Sequence, residues 1–471
     1  MSSKPFIHLF ETGKKNYIYD VNTNKILEIS KDLYAYLKEY LYSDKNSNLN
    51  AKVEKELNNL KKHGFLKNKR IEKTEHPDTK FLKYYIDNKL SSVVLQVTQN
   101  CNLRCDYCIY SGSYNNRVHS NKRMNFNTAK KAVDYLIQHS KQLNEINISF
   151  YGGEPLLEFE LIKKIVEYAK DLAQGKYITF NLTTNATLFT PEIVEYFVKH
   201  NITAMISLDG NEEIHDKSRV FASSGKGTHK FVLKNLQFIK ENYPEYYKNN
   251  ITFNTVVLPE NQYTCIHDFV SIEELLKDSY FLESDVSQHN TDKEFKMSDD
   301  YVFGKNYGRF LILLSKLNIV DSKNLSPLLQ VANSVFDGFI ADRNITRIEL
   351  PTVSHHSGPC LPGVYRAFIT TDGDIYPCEK VSEKSCLSKI GTLDDGIDLE
   401  KASKLLNIGQ FYEEKCFNCW SYTNCGICIA KLNEIDRSEE EIEPQYCDLI
   451  KYTTESNMKD YCVLKSLGYQ Y

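Results

Sequence analysis

Cys101, Cys105 and Cys108 follow a Cys-x3-Cys-x2-Cys spacing just after the apolar run Val93, Val94, Leu95 and Val97. Three thiolates at these offsets can wrap onto one face of a four-iron cubane and hold three of its irons. Iron-sulfur centres usually take four cysteine ligands, so a tight triplet with no nearby fourth thiol leaves one iron open to an exchangeable ligand. A structural zinc knuckle or three buried thiols is the competing reading. A second array fills the C-terminal third: Cys360, Cys378, then Cys416-x2-Cys419-x5-Cys425-x2-Cys428, and finally Cys447. Its Cys-x2-Cys pairs would also suit zinc. Of the 13 cysteines, only Cys265, Cys386 and Cys462 fall outside the two arrays.

The elements that must position these thiols are legible as alternating strands and helices. Strand-like runs near 93–97, 146–150, 178–182, 204–208 and 251–257 alternate with segments of helical period. One helix starts at Asn127 and buries Ala132, Val133, Leu136 and Ile137; another has Thr190 as its cap and Pro191 in its first turn. This alternation implies a parallel sheet with right-handed crossovers. The strand carrying Ile146, Ile148 and Phe150 runs into Gly152-Gly153-Glu154-Pro155, where two glycines let the backbone approach a ligand and proline fixes the exit. Asn181 to Asn185 and Ser207-Leu208-Asp209-Gly210 end the next two strands, followed by His215-Asp216 and Arg219. Polar groups at the carboxyl ends of parallel strands are where α/β barrels place their chemistry. From about 283 to 300 the sequence turns polar (Glu283, Ser284, Asp285, Ser287, Gln288), which predicts a surface insertion.

The cysteine triplet, with Tyr107 before its third member and Gly152-Gly153-Glu154-Pro155 one βα unit later, resembles the signature of the radical S-adenosylmethionine enzymes. The resemblance implies an α/β fold built on a partial (β/α)6 TIM-like barrel. It also implies a [4Fe-4S] cluster on Cys101, Cys105 and Cys108 whose open iron chelates S-adenosyl-L-methionine. Tyr107, Gly152, Gly153, Glu154 and Pro155 become candidate cofactor-binding residues, as do Thr184, Ser207 and Arg219 for the ribose, amino-acid and carboxylate contacts.

The seven C-terminal cysteines, with Gly373 and Cys378 at a Gly-x4-Cys offset, resemble the SPASM auxiliary-cluster domain. This chain has two residues between Cys425 and Cys428, where the usual pattern has three. Carried across, the family's wiring closes one [4Fe-4S] cluster with Cys416, Cys419, Cys425 and Cys447 and gives Cys360, Cys378 and Cys428 three corners of another. Relatives that oxidise sulfatases have an extra cysteine before the first of the seven, where this chain reads Thr352-Val353-Ser354-His355-His356-Ser357. Cys386, His355 or His356 fills that corner, or it stays open for a substrate thiolate. In those relatives an aspartate base follows the second auxiliary cysteine. Glu379 stands here and is the candidate catalytic base, or else an ion-pair partner of Lys380 or Lys384.

The first 85 residues read as a separate module. Short strands (Phe6 to Phe10, Tyr17 to Val21, Ile26 to Ile29) precede helices around Lys31 to Tyr42 and Ala51 to Lys62, with a linker at Ser43 to Asn48. The pattern resembles the winged-helix-like element by which peptide-modifying enzymes hold a leader peptide as an added strand; a structural cap over the barrel is the alternative. The expected division is 1–85 for leader recognition, 86–335 for the radical core and 336–471 for the SPASM domain.

A net charge of −4 gives no basic footprint for nucleic acid. The longest apolar stretch, around Phe310 to Leu314, is too short to span a bilayer. Many free thiols and no apolar signal segment predict a reducing cytoplasm. Cys360 to Arg366, Tyr376 to Glu383, Leu405 to Gly409 and Cys419-Trp420 together resemble clostridial maturases of cysteine-rich ribosomal peptides. That resemblance implies 5'-deoxyadenosyl radical hydrogen abstraction and a sulfur-to-carbon thioether crosslink in a cysteine-rich precursor peptide with a leader, driven by a reducing partner such as flavodoxin or ferredoxin. Formylglycine formation, carbon-carbon crosslinking, epimerisation and a non-catalytic electron carrier remain as alternatives.

Overall fold

The computed structural model describes residues 4–43, 49–114, 117–173, 175–287, 291, 293–432 and 446–470. The N-terminal strands β1 (Ile7–Thr12), β2 (Lys15–Asp20) and β3 (Lys25–Ile29) form an antiparallel three-stranded sheet in that order. It has its own core, in which Ile7, Leu9, Ile18 and Ile29 pack on Leu33 and Leu37 of helix Lys31–Tyr42 and on Val53 and Leu57 of helix Ala51–Lys62. Ser30 and Asn50 cap these helices by accepting from the amides of Leu33 and Val53. Most of the linker expected at Ser43 to Asn48 lies outside the described residues.

A short β4 (Lys73–Thr74) leads to the main sheet. Six parallel strands, β5 (Ser92–Thr98), β6 (Glu145–Gly152), β7 (Tyr177–Thr184), β8 (Ile202–Ser207), β9 (Ile251–Val257) and β10 (Phe281–Asp285), lie side by side in chain order. Helices such as Phe126–His139, Phe159–Leu172 and Pro191–His200 connect them. The helix expected from Asn127 starts one residue earlier, because Asn125 accepts from the amide of Thr128 and so sets the cap. Thr190 caps the third of these helices, accepting from Ile193 at 3.3 Å. Val93, Leu95, Ile148, Phe150, Phe180, Leu182, Ala204, Ile206 and Phe253 are fully buried and weld sheet to helices.

The polar run expected to form a surface insertion corrects to strand at its start: Glu283, Ser284 and Asp285 complete β10 beside Thr255, Val256 and Val257. The strand ends polar because it is the edge of the sheet at its carboxyl end. Glu283 there accepts from Tyr263 Oη at 2.8 Å and pairs with Lys305. Gln288 lies outside the described residues.

The other edge of the parallel array continues into the C-terminal region. After β11 (Val353–Ser354), which pairs with β4, strand β12 (Ala367–Ile369) joins β5 in parallel. Antiparallel β13 (Asp374–Tyr376), β14 (Gly391–Thr392) and β15 (Gly396–Ile397) then extend a single ten-stranded sheet. Hydrogen bonds thus cross the expected boundary at 335/336 and tie the second cysteine array to the strand that precedes the first. No helix of the described residues is long and apolar enough to cross a membrane.

Candidate functional site

The loop after β5 carries the first triplet. Cys105 is buried, Cys101 and Cys108 half-buried, and all three are free thiols. They stand close enough for Cys101 and Cys108 to act electrostatically on Cys105. Burial pushes Cys101 and Cys105 up to about 12 and raises Cys108 as well. Such thiols stay protonated until a metal supplies the charge that ionises them. N–H groups already face the sulfurs: the amide of Leu103 lies 3.3 Å from Cys101 Sγ, Asn185 Nδ2 3.9 Å from the same atom, and Arg219 4.0 Å from Cys105 Sγ. The donor set and its pre-aimed N–H groups fit an iron-sulfur cluster.

The diglycine has a specific structural task. A Cβ on Gly153 would stand 2.1 Å from the carbonyl oxygen of Asn100, and one on Gly152, whose φ is +146°, equally close to that of Thr98. The amides of Gly153 and Glu154 donate to Thr98 and Asn100 at 3.0 and 2.9 Å. The close approach these glycines permit is to the backbone entering the cysteine loop. Pro155 opens a short 3₁₀ turn capped by Glu154. Glu154 is 1 % exposed and accepts from Thr184 Oγ1 at 2.7 Å and from the amides of Asn185 and Leu156. Its burial pushes the carboxyl up to about 7, against the lowering effect of those three bonds. Thr184 at the end of β7 is thereby committed to Glu154, and Ser207 ends β8 in a buried position.

Arg219 and Tyr107 converge on a residue that sequence reasoning placed in a motif without giving it a role. Asp209 accepts from Arg219 at 2.7 and 3.2 Å, from the amide of Val256 at 3.0 Å and from Tyr107 Oη. All three side chains are buried, and the guanidinium lies 5.4 Å from the Tyr107 ring centre. The signal in the sequence was a carboxylate at the carboxyl end of a parallel strand, ten residues before an arginine. A second pair, buried Arg117 Nε to half-buried Glu383 at 2.9 Å, was not foreseen. Glu383 also accepts from Gln96 of β5 at 2.6 Å, so the pair joins the core sheet to the C-terminal region.

The seven C-terminal cysteines sort into two groups. Cys416, Cys419, Cys425 and Cys447 line one cavity of about 360 Å³ and act electrostatically on one another. Cys378 is influenced instead by Cys360 and Cys428. Four thiols lining one cavity are a donor set that fits an iron-sulfur cluster.

The candidates for the extra corner beside Cys360, Cys378 and Cys428 lie in different places. His356 lines the other cavity, with the four-cysteine group. His355 is tied to the carbonyl of His356 at 2.9 Å and lies against the His76 ring. Cys386 is on an exposed turn, and the groups acting most on Cys360 are Cys428, Arg366 and Glu379. The ion-pair partner of Glu379 is Arg366, at 2.9 and 3.0 Å, rather than Lys380 or Lys384. Its carboxylate also acts on Tyr151, the half-buried residue preceding Gly152.

Comparison with known proteins places the chain. Residues 95–271 match the radical SAM superfamily. The radical SAM cyclopropyl synthase TigE of Paramaledivibacter caminithermalis is 28% identical over 256 residues, covering 51% of this chain and 50% of the synthase. The cysteine-type anaerobic sulfatase-maturating enzyme of Clostridium novyi is 24% identical over 408 residues, 81% of this chain and 99% of that enzyme. This chain spans about half the length of two curated relatives that it matches, 57% and 50%. The solved structure of native anSMEcpe with bound AdoMet and Cp18Cys peptide superposes with a TM-score of 0.59 at 20% identity, covering 80% of this chain and 99% of that one. At this identity the superposition establishes a shared fold. Residues 95–271 thus carry a radical SAM domain, whose family uses a [4Fe-4S] cluster and S-adenosylmethionine, and the chain as a whole is similar to an anaerobic sulfatase-maturating enzyme.

Proposed function

We propose that this enzyme modifies a cysteine-rich precursor peptide, joining a cysteine sulfur to a carbon in a thioether. The observation that carries the proposal is the three-thiol group of Cys360, Cys378 and Cys428, beside Glu379 and with Cys360 exposed. A cluster gripped by three thiolates has one corner that a substrate thiolate can occupy. The curated relatives support radical chemistry on a peptide or protein: one is a radical SAM cyclopropyl synthase and others are sulfatase-maturating enzymes.

The division of labour follows from the residues. Cys101, Cys105 and Cys108 would hold the core cluster, with Tyr107, Gly152, Gly153, Glu154, Pro155, Thr184, Ser207 and Arg219 shaping the cofactor pocket. When bound, that cluster and S-adenosylmethionine supply the radical that removes a hydrogen atom from the substrate carbon. Asp209 holds Arg219 and Tyr107 in fixed positions, so the pocket is ordered before substrate arrives. Thioether formation removes two hydrogens from the peptide, one as an atom and one as a proton with an electron left over. Glu379, held by Arg366, would take the proton, and the auxiliary clusters would take the electron. Cys416, Cys419, Cys425 and Cys447 would complete the second auxiliary cluster of a SPASM domain spanning 336–471.

The sheet of residues 1–85 supports a leader-recognition role. Among the described residues β3 pairs with β2 on one side only, whereas β1 lies against helix Cys447–Ser466. The free edge of β3 can accept an extended peptide. A flavodoxin or ferredoxin in the same reducing cytoplasm would deliver electrons. Anaerobic reaction with a cysteine-rich peptide encoded beside this chain tests the reading by mass spectrometry. A product lighter by two hydrogens with one cysteine protected from alkylation supports it; formylglycine, or loss of two hydrogens with every cysteine still alkylated, contradicts it.

A further inference from the structure

We infer that His356 donates a hydrogen bond to the iron-sulfur cluster held by Cys416, Cys419, Cys425 and Cys447, and so sets that cluster's reduction potential. The inference rests on the reading that these four cysteines hold a cluster. His356 is 3 % exposed, yet its Nδ1 has no hydrogen-bond partner among the described residues. A buried polar group without a partner is costly and uncommon in a native fold. Here the imidazole lines the same cavity as the four thiols.

The position of the ring is built by its neighbours. A Cβ on residue 409 would come within 2.2 Å of Nδ1 and 2.3 Å of Cε1, so Gly409 makes room for the imidazole. On another side the ring packs against Tyr422, 4.2 Å between centroids. Tyr422 is itself pinned, its hydroxyl 3.1 Å from both Thr74 Oγ1 and the carbonyl of Ser354. A solvated loop histidine needs none of this.

The lining of the cavity identifies the chemistry of its occupant. Lys415 and Lys451 line it with His356, and no carboxylate does so among the described residues. Donors and cations around four thiols suit an anionic iron-sulfur cluster, whose sulfurs accept hydrogen bonds. Because four thiolates already supply one ligand per iron, the imidazole is left as an additional donor. Hydrogen bonds to the sulfurs are a main determinant of cluster potential, and each stabilises the more negative, reduced state.

The test uses the full chain carrying Cys101→Ala, Cys105→Ala and Cys108→Ala, so that only auxiliary signals remain, reconstituted anaerobically and titrated by EPR. His356→Leu should keep the iron and sulfide content while one auxiliary signal shifts to lower potential, and His356→Gln, which retains an N–H donor, should recover much of the shift. An unchanged potential in His356→Leu overturns the inference, as does loss of one cluster's iron, which would make His356 a ligand or a folding element. If His356→Leu does not fold, isotopically labelled histidine in the parent decides: a weak histidine nitrogen coupling to a reduced auxiliary cluster supports the hydrogen bond, and its absence removes it. The underlying reading fails separately if Cys416→Ala in the same background keeps all of its iron.

Discussion

Asp209 and Arg219 form an ion pair, Nε to Oδ2 2.7 Å, that is sealed from solvent beneath the loop of the first cysteine triplet. Arg219 reaches Cys105 Sγ at 4.0 Å and Asp209 holds the Tyr107 hydroxyl, so two of the loop's side chains are indexed to one carboxylate. Removing one member of a buried pair strands the other charge and costs about 3–5 kcal/mol. Asp209→Ala is therefore expected to lower the denaturant midpoint strongly and to reduce iron bound at the triplet. An unchanged midpoint with full iron content would show that the pair is dispensable.

Gly153 should be intolerant of the smallest substitution. A Cβ there meets the carbonyl of Asn100 at 2.1 Å, and the atom it meets is backbone, so relief requires moving the strand exit that carries Cys101. Overpacking of this kind costs about 1–3 kcal/mol. Gly153→Ala should reconstitute with less than full iron and cleave S-adenosylmethionine slowly. Wild-type reconstitution and cleavage would refute the structural role given to this glycine.

Gly338 provides the opposite case. It is exposed inside helix Leu329–Asn344, with nothing within 4 Å of an added Cβ and no positive φ. Gly338→Ala should raise stability by about 0.5–1 kcal/mol through helix propensity, with unchanged turnover. Chemical denaturation of the two proteins measures the difference directly.

Glu154 should give stability a specific dependence on pH. Burial raises its folded-state pKa to about 7, above the unfolded value. The folded state then binds more protons than the unfolded one between the two values. The stability contributed by protonated Glu154 is fully present below the unfolded pKa and is lost as pH rises through about 7. Glu154→Gln, neutral at every pH, should flatten that decline in denaturation curves of the iron-free protein, and an equal slope in both proteins would contradict the assignment.

Sequence and structure agree where local chemistry decides and part where distant segments meet. The strand runs, the Thr190 cap and the three short N-terminal strands are written in periodicity and capping residues, which act within a few positions. The joining of β12 to β5 brings together residues more than 270 apart, and no local pattern encodes it. The same holds for His356, one of the candidates for the corner beside Cys360 because it stands where the sulfatase-oxidising relatives carry a further cysteine. It sits with Cys416 and Cys447 because the chain turns between them. Asp209 was legible as a motif, yet its role needed Tyr107 and Arg219 brought to it in space. Glu283 to Asp285 were misread because an edge strand with a polar end carries the composition of a loop.

The auxiliary array is expected to act after cofactor cleavage. Cys447→Ala should leave S-adenosylmethionine cleavage measurable while crosslinking stops. Mass spectrometry of the peptide alongside quantified 5'-deoxyadenosine separates the two steps. Complete crosslinking by this variant would remove the array from the reaction.

The central claim is that Cys101, Cys105 and Cys108 hold a cluster with one open iron at which S-adenosylmethionine binds. The most direct measurement is EPR of the anaerobically prepared, reduced protein with and without S-adenosylmethionine, for the wild type and for Cys105→Ala. A [4Fe-4S] signal that changes on adding the cofactor, accompanied by 5'-deoxyadenosine and lost in Cys105→Ala, is the predicted result. Zinc at the triplet, or a spectrum indifferent to both the cofactor and the substitution, would contradict it.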